Sequence, residues 1–202
     1  MPIAQNKTQM IRTNYIFVDF ENVQETELDR IAEKPVKVVL VLGQRNSRLP
    51  VKLVTLIHKF SEQVRLIEAS LMGKNALDFV LACEVGVECG KDPQAYFHIL
   101  SRDKGFDVLV NHLKAKGVHA RRCNTFNEIP VVMNLAERVQ RLASDFKMPK
   151  TTRARKRKGL EAQIQQVFGK ALSPEELAAT IRGLIAEKII TLSDQGEVAY
   201  RL

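Results

Sequence analysis

Tryptophan is absent from this chain of 202 residues, and aromatic side chains make up only 6% of it. No apolar run approaches the ~20 residues that a membrane-spanning helix needs, so a membrane protein of that kind is not expected. The first residues, Met1 to Thr13, are polar and lack the apolar core of a secretory signal. Cysteine is scarce. Cys83, Cys89 and Cys123 form no CxxC pair, which argues against a zinc site or a disulfide framework. They read as buried, reduced thiols of a cytoplasmic protein. The four histidines, His58, His98, His112 and His119, do not group with the acids, so a histidine-based hydrolytic site is not expected. Acidic residues are outnumbered 23 to 31 by Lys and Arg, for a net charge of +8.

That excess has an address. Residues 147–158 carry seven basic side chains and no acid, so nearly all of the net charge lies in one tract. A run of this kind binds a phosphate backbone by releasing counterions. Arg153, Arg155, Lys156, Arg157 and Lys158 are therefore candidate contacts to a nucleic acid. As a solvated basic linker, the tract would also join two folded parts.

What is present is a regular alternation. Tyr15–Val18, Val36–Leu42, Val64–Ala69, Tyr96–Leu100 and Val118–Cys123 read as strands, and the first is a continuous apolar run of the kind found in buried parallel strands. Between them lie a helical or irregular stretch, Thr26–Ala32, and helical patterns: one opened by Pro50, Asn75–Glu88 and Phe106–Lys116, with Gly117 as the C-terminal cap of the last. A further helix is expected over Ile129–Phe146. Alternating strands and helices predict an α/β fold with a parallel sheet flanked by helices. Beyond the basic tract the pattern changes. Leu160–Phe168 reads as a short helix, Ser173-Pro174-Glu175-Glu176 as a strong helix start, and Ile189–Leu202 as a hairpin. Helices followed by a terminal hairpin predict a small winged-helix-like module. Four basic and six acidic residues give it a net charge of −2. That balance favours protein contact or self-association over groove reading in DNA.

Four aspartates fall where strands end and helices begin. Asp19 closes the first strand, Asp78 opens the helix after Gly73-Lys74-Asn75, and Asp103 and Asp107 follow the strand Tyr96–Leu100. Ligands of open parallel sheets bind at that edge. Each aspartate alone is also explained as a turn former or first-turn residue stabilised by the helix dipole. Together they repel one another unless a cation holds them. A divalent metal serving phosphate chemistry is the economical explanation. Asn22 and Ser101 are candidate polar partners of the acids, and Lys74 and Arg102 candidate phosphate contacts.

Val18-Asp19-Phe20-Glu21-Asn22-Val23, Gly73-Lys74-Asn75-Ala76-Leu77-Asp78-Phe79 and Ser101-Arg102-Asp103-Lys104-Gly105-Phe106-Asp107 resemble the three acidic motifs of PIN-like ribonuclease domains, the NYN branch in particular. The resemblance implies a Rossmann-like domain over residues 14–146, followed by the linker at 147–158 and the module at 159–202. It also implies an acidic cluster of Asp19, Asp78, Asp103 and Asp107 binding Mg²⁺ or Mn²⁺ and hydrolysing RNA, more readily single-stranded, to a 5′-phosphate and a 3′-hydroxyl. Two departures stand out. No Asp or Glu occurs from Gln44 to Leu56, where many PIN nucleases carry a further acid, and Gly105-Phe106 precedes Asp107, where the NYN form has an aspartate-phenylalanine pair. Glu21 and Glu84 are the available substitutes, with Glu84 on a different helix face from Asp78. A non-catalytic nucleic-acid-binding or regulatory protein with a degenerate site remains the alternative reading, and a partner-binding protein acting through its C-terminal module a third.

Overall fold

The computed structural model of the protein describes residues 12–24, 27–44, 46, 48–69, 73, 75–149, 151–170 and 172–201. Five parallel strands, β1 (Asn14–Asp19), β2 (Val36–Leu42), β3 (Val64–Glu68), β4 (Tyr96–Leu100) and β5 (His119–Cys123), form one sheet in the order β3-β2-β1-β4-β5. Side chains alternate across a strand, and β1 sends them to two cores. Ile16 and Val18 enter one with Val38, Leu40 and the 3₁₀ turn Leu28–Ile31. Tyr15 and Phe17 enter the other with Phe97 and the helices α2 (Ala76–Lys91) and α3 (Phe106–Ala115). Burial on both faces is why the central strand β1 reads as an almost unbroken apolar run, whereas the edge strands β3 and β5 are partly exposed and carry charged residues. Helix α1 (Val51–Lys59) covers the first face through Leu53, with Leu56 and Ile57 partly buried.

The chain lays down β1, β2 and β3 outward in one direction, then crosses to β4 and β5 on the far side of β1. The C-terminal ends of β1 and β4 therefore flank the point where strand order reverses, and loops diverge there to leave a crevice. Register pairs Val18 with Leu100. Asp19, the next residue of β1, lines that crevice, and Ser101, the residue after β4, is buried beside it.

The helix expected over Ile129–Phe146 is shorter. Pro130–Val132 forms a 3₁₀ turn, and α4 begins only at Leu135, running to Lys147. Proline breaks the pattern, and Asn134 restarts it with a capping box: its side chain accepts the Glu137 N–H at 3.0 Å, and Glu137 accepts the Asn134 N–H at 2.8 Å. Helix α4 buries Val139, Leu142 and Phe146 in a third cluster, shared with α5 (Arg157–Val167), α6 (Pro174–Ala186) and the hairpin β6 (Ile190–Leu192) and β7 (Val198–Tyr200). The predicted capping box of α6 is present, with Glu176 N–H donating to Ser173 Oγ at 3.2 Å. Gly183 lets α6 approach α4, since a Cβ there would stand 2.6 Å from Val139 Cγ2.

The basic tract is not a free linker. Lys156 bridges Glu197, Arg155 O accepts the Val198 N–H at 2.9 Å, and Tyr200 Oη donates to Ala154 O at 2.9 Å. The end of the tract thus meets the hairpin beside β7 through one isolated bridge, because the hairpin's edge offers unpaired backbone groups. Arg157 and Lys158 open α5. The module docks against the N-terminal edge of the sheet. Glu176 accepts Lys34 Nζ and Arg138 Nη1, each at 3.0 Å, and Gly169 lies against Tyr96 at the start of β4. Among the described residues no helix is long and apolar enough to cross a membrane. All three cysteines are unbonded. Cys123 is buried as expected and Cys89 half-buried, but Cys83 is exposed on the outer side of α2.

Candidate active site

Asp19 is the last residue of a buried strand and is itself 1% exposed. Its charge is met by donors on two sides of the crevice. Oδ2 accepts Asn22 Nδ2 at 2.6 Å and Ser101 Oγ at 2.7 Å, and Oδ1 accepts the Asn22 N–H at 3.3 Å. Asn22 can reach back because residues 20–22 turn immediately after β1. Ser101, buried at the end of β4, also accepts the Asp103 N–H at 3.0 Å. Asp103 in turn accepts the Gly105 N–H on Oδ1 at 2.7 Å. A short chain of hydrogen bonds thus runs from Asn22 through Asp19 and Ser101 to the Asp103 loop.

Asp19, Asp78 and Asp103 line one cleft of about 400 Å³, together with Glu21, Asn22 and Gly43. Asp78 reaches it from the first turn of α2, whose preceding residue, Asn75, turns the chain through a left-handed conformation at φ 64°. No hydrogen bond or ion pair engages Asp78 among the described residues. Burial pushes its pKa above the ordinary carboxylate value, and the charges of Asp19, Asp103 and Glu21 push it further in the same direction. Glu21 lies against Gly43, where a Cβ would stand 2.0 Å from Glu21 Oε1. Four carboxylates therefore share the cleft, and no described basic side chain lines it.

Not every expected residue is here. Asp107 is absent from the cleft lining. Its Oδ1 accepts Arg122 Nε at 2.8 Å, and the same guanidinium donates from Nη1 to Ser101 O at 2.9 Å and Asn124 Oδ1 at 2.7 Å. Nothing in the spacing of β5 marks Arg122 as this partner. Only the sheet order brings the end of β5 beside the loop after β4. Glu84 pairs with Arg65 at 2.7 Å, away from the cleft. Arg102 is exposed beside Asp103, and Lys74 lies outside the described residues. Arg153 donates to Phe146 O at 2.9 Å and Arg157 to Glu161 at 2.9 Å, while Arg155, Lys156 and Lys158 are exposed. All five lie in the tract that precedes the C-terminal module, and none lines the cleft. The histidines take no part in the cleft. His98 is buried against Asn14 at 2.9 Å, and burial lowers its pKa to about 3, helped by Arg121.

The donors in the cleft are hard oxygens, the kind that Mg²⁺ and Mn²⁺ take. Asp19 spends three acceptor positions on protein donors, and a carboxylate offers about four, so one remains on Oδ1. Asp103 keeps Oδ2 free of the Gly105 contact. The chemistry of the donor set fits a hard divalent cation. Among the described residues, no three His, Cys, Asp or Glu side chains form a group arranged to hold one.

Comparison with known families finds one match. Residues 13–123, more than half of the chain, match a family model described as PIN domain. No curated protein and no solved structure matches the chain.

Proposed function

The chain belongs to the PIN domain family, whose members are in general nucleases, and from that premise we propose that it is a divalent-metal-dependent endoribonuclease acting on single-stranded RNA. One observation carries the reading. Three aspartates, Asp19, Asp78 and Asp103, line one cleft at the sheet edge where strand order reverses. A phosphodiester is anionic and is repelled from such a cleft unless a cation joins it. Asp19, Asp78 and Asp103 are the residues that would hold Mg²⁺ or Mn²⁺, which would supply positive charge and Lewis acidity toward a water.

The protein's own groups do the rest. Ser101 and Asn22 fix the Asp19 carboxylate in one direction, and the Gly105 N–H fixes Asp103. Preset orientation saves the reorganisation that a flexible carboxylate would require during reaction. Asp78, raised in pKa and without a hydrogen bond among the described residues, gains most from an arriving cation. Arg102, exposed beside Asp103, is placed to contact a flanking phosphate, and Asn22 faces the cleft. Asp107 is assigned the supporting role of holding Arg122 against the Ser101 carbonyl. The exposed cations Arg155, Lys156 and Lys158 offer a second, sequence-independent hold on the RNA backbone. Protein contact, with a second copy or another chain, is the role proposed for the C-terminal module, whose net charge of −2 suits that better than phosphate. The three unbonded thiols suit a reducing compartment such as the cytoplasm.

The test is cleavage of end-labelled single-stranded RNA in Mn²⁺ by the wild type, by Asp103→Asn and by wild type with chelator. Loss in both controls of at least about 100-fold, the effect of removing several kcal/mol of charge stabilisation, is expected. RNA that is bound but uncut in every lane would instead establish a binding protein with a degenerate site.

A further inference from the structure

The chain has nine phenylalanines, and eight of them are buried. Phe79 is the exception, at 72% exposed, and it directly follows Asp78. Opposite it, Val108 on α3 is 75% exposed. Between α2 and α3 runs a groove of about 490 Å³ that begins at the acidic cleft and shares Asn75, Asp78 and Asp103 with it. Its walls are two matched helix stripes. Asn75, Asp78, Phe79 and Ala82 recur on α2 at the i, i+3, i+4, i+7 spacing of one helix face, and Gly105, Val108, Leu109 and His112 recur on α3 at the same spacing. Apolar side chains at those positions normally face a core. Here the cores of both helices are filled by other residues, Leu77, Leu81 and Val85 on α2 and Phe106, Val110 and Leu113 on α3. Phe79 and Val108 therefore add nothing to the packing beneath them, and they line the same groove as Asp78 and Asp103.

We propose that this groove is a base-binding subsite of the cleft. An unstacked nucleobase next to the scissile phosphate stacks on the Phe79 ring against Val108, with Asn75 and His112 at the groove wall as hydrogen-bonding groups for its edge. Single strands are recognised this way: splayed bases stack on aromatic rings while the backbone is held by charge. A base in a duplex is already stacked and cannot enter. The groove thus supplies a physical reason for preferring single-stranded RNA, and it rests on the reading of the acidic cleft as the phosphate site. Stacking on a bare ring tolerates any base, so the subsite selects strandedness more than sequence.

The absence of tryptophan makes the test direct. In the full chain, Phe79→Trp installs the sole indole. On mixing that variant with a short single-stranded RNA in Mn²⁺, its indole fluorescence is expected to be quenched saturably, and the same sequence as a duplex is expected to leave it unchanged. Phe79→Ala is expected to weaken single-stranded binding by about 5- to 150-fold, Phe79→Tyr to retain it, and Val108→Glu to lose it. Because Phe79 is exposed, these variants should keep the wild-type melting temperature. Quenching without cleavage by the wild type would sustain the subsite and overturn the nuclease reading. Wild-type cleavage with no quenching, and an unchanged KM for Phe79→Ala, would overturn the subsite and leave the nuclease reading intact. A dimer that Phe79→Ala converts to monomer, with RNA affinity unaltered, would also overturn it by showing that a second copy covers the groove.

Discussion

Ser101 and Asp19, 82 residues apart in the chain, are joined by a 2.7 Å hydrogen bond across the boundary between β4 and β1. The Ser101 hydroxyl donates to Asp19 and accepts from the Asp103 backbone, so one buried oxygen sets the position of two cleft carboxylates. Ser101→Ala removes both contacts while leaving the strand intact. Stability is expected to fall by about 1.5–3 kcal/mol, the range for a hydrogen bond to a charged group, as read by denaturant unfolding. Cleavage is expected to fall by about 10- to 100-fold, the usual effect of losing the partner that orients a metal-binding carboxylate.

Asp78 separates a stability effect from an activity effect. Its pKa is raised by burial and by three neighbouring carboxylates, so its ionised form is carried at a cost to the fold. Asp78→Asn is expected to raise the melting temperature at pH 7 by a few degrees while abolishing cleavage. Because a raised carboxylate loses its penalty as it protonates, the gap between variant and wild type should close as pH falls through the acidic range. A gap that widens on acidification would contradict the assigned repulsion. Mn²⁺ should raise the wild-type melting temperature by binding the folded state, and Asp78→Asn should blunt that rise.

Asp107 and Asp103 stand four residues apart, yet the fold treats them differently. Asp103 faces the cleft and Asp107 faces Arg122. Asp107→Asn is expected to leave cleavage within a few-fold of wild type, where Asp103→Asn abolishes it. The ion pair with Arg122 is half-exposed at its acidic end, so its loss should cost no more than about 1 kcal/mol. Parallel kinetic and unfolding measurements on the two variants decide this.

Glu176 caps α6, pairs with Lys34 and Arg138, and so ties the C-terminal module to the edge of the sheet. Burial opposes its charge, but the Ser173 N–H, Lys34 and Arg138 together hold its pKa below the ordinary glutamate value. A lowered carboxylate stabilises the fold above its unfolded pKa, and that stability is lost as pH falls through the folded one. Glu176→Gln is expected to cost about 1–2 kcal/mol at pH 7. The difference should vanish in acid, measured as unfolding free energy across a pH series.

How far the fold was legible depends on the range of the forces involved. The five strands and the starts of α2 and α3 came from apolar periodicity, which is local, and the Ser173 cap came from four consecutive residues. Pro130 and Asn134 show the same rule in reverse. The helix expected from Ile129 starts late because a single ring and a single amide outweigh an apolar pattern. The basic tract was read as a linker because charge alone says nothing about pairing, and its place beside β7 is set by backbone groups that the hairpin leaves open.

Sequence alone determined the alternation of parallel strands and helices, the position of Asp19, Asp78 and Asp103 at strand-to-helix transitions, and the resemblance that names the family. Those features are written in residues a few positions apart, where periodicity and turn chemistry act. Tertiary structure decided which acids share the cleft and which does not. It placed Arg122 on Asp107, Ser101 between Asp19 and Asp103, and Phe79 on an open groove instead of in the core. Each of these depends on strand order and helix rotation, which are fixed by packing between segments tens of residues apart and leave no mark on the spacing of neighbours.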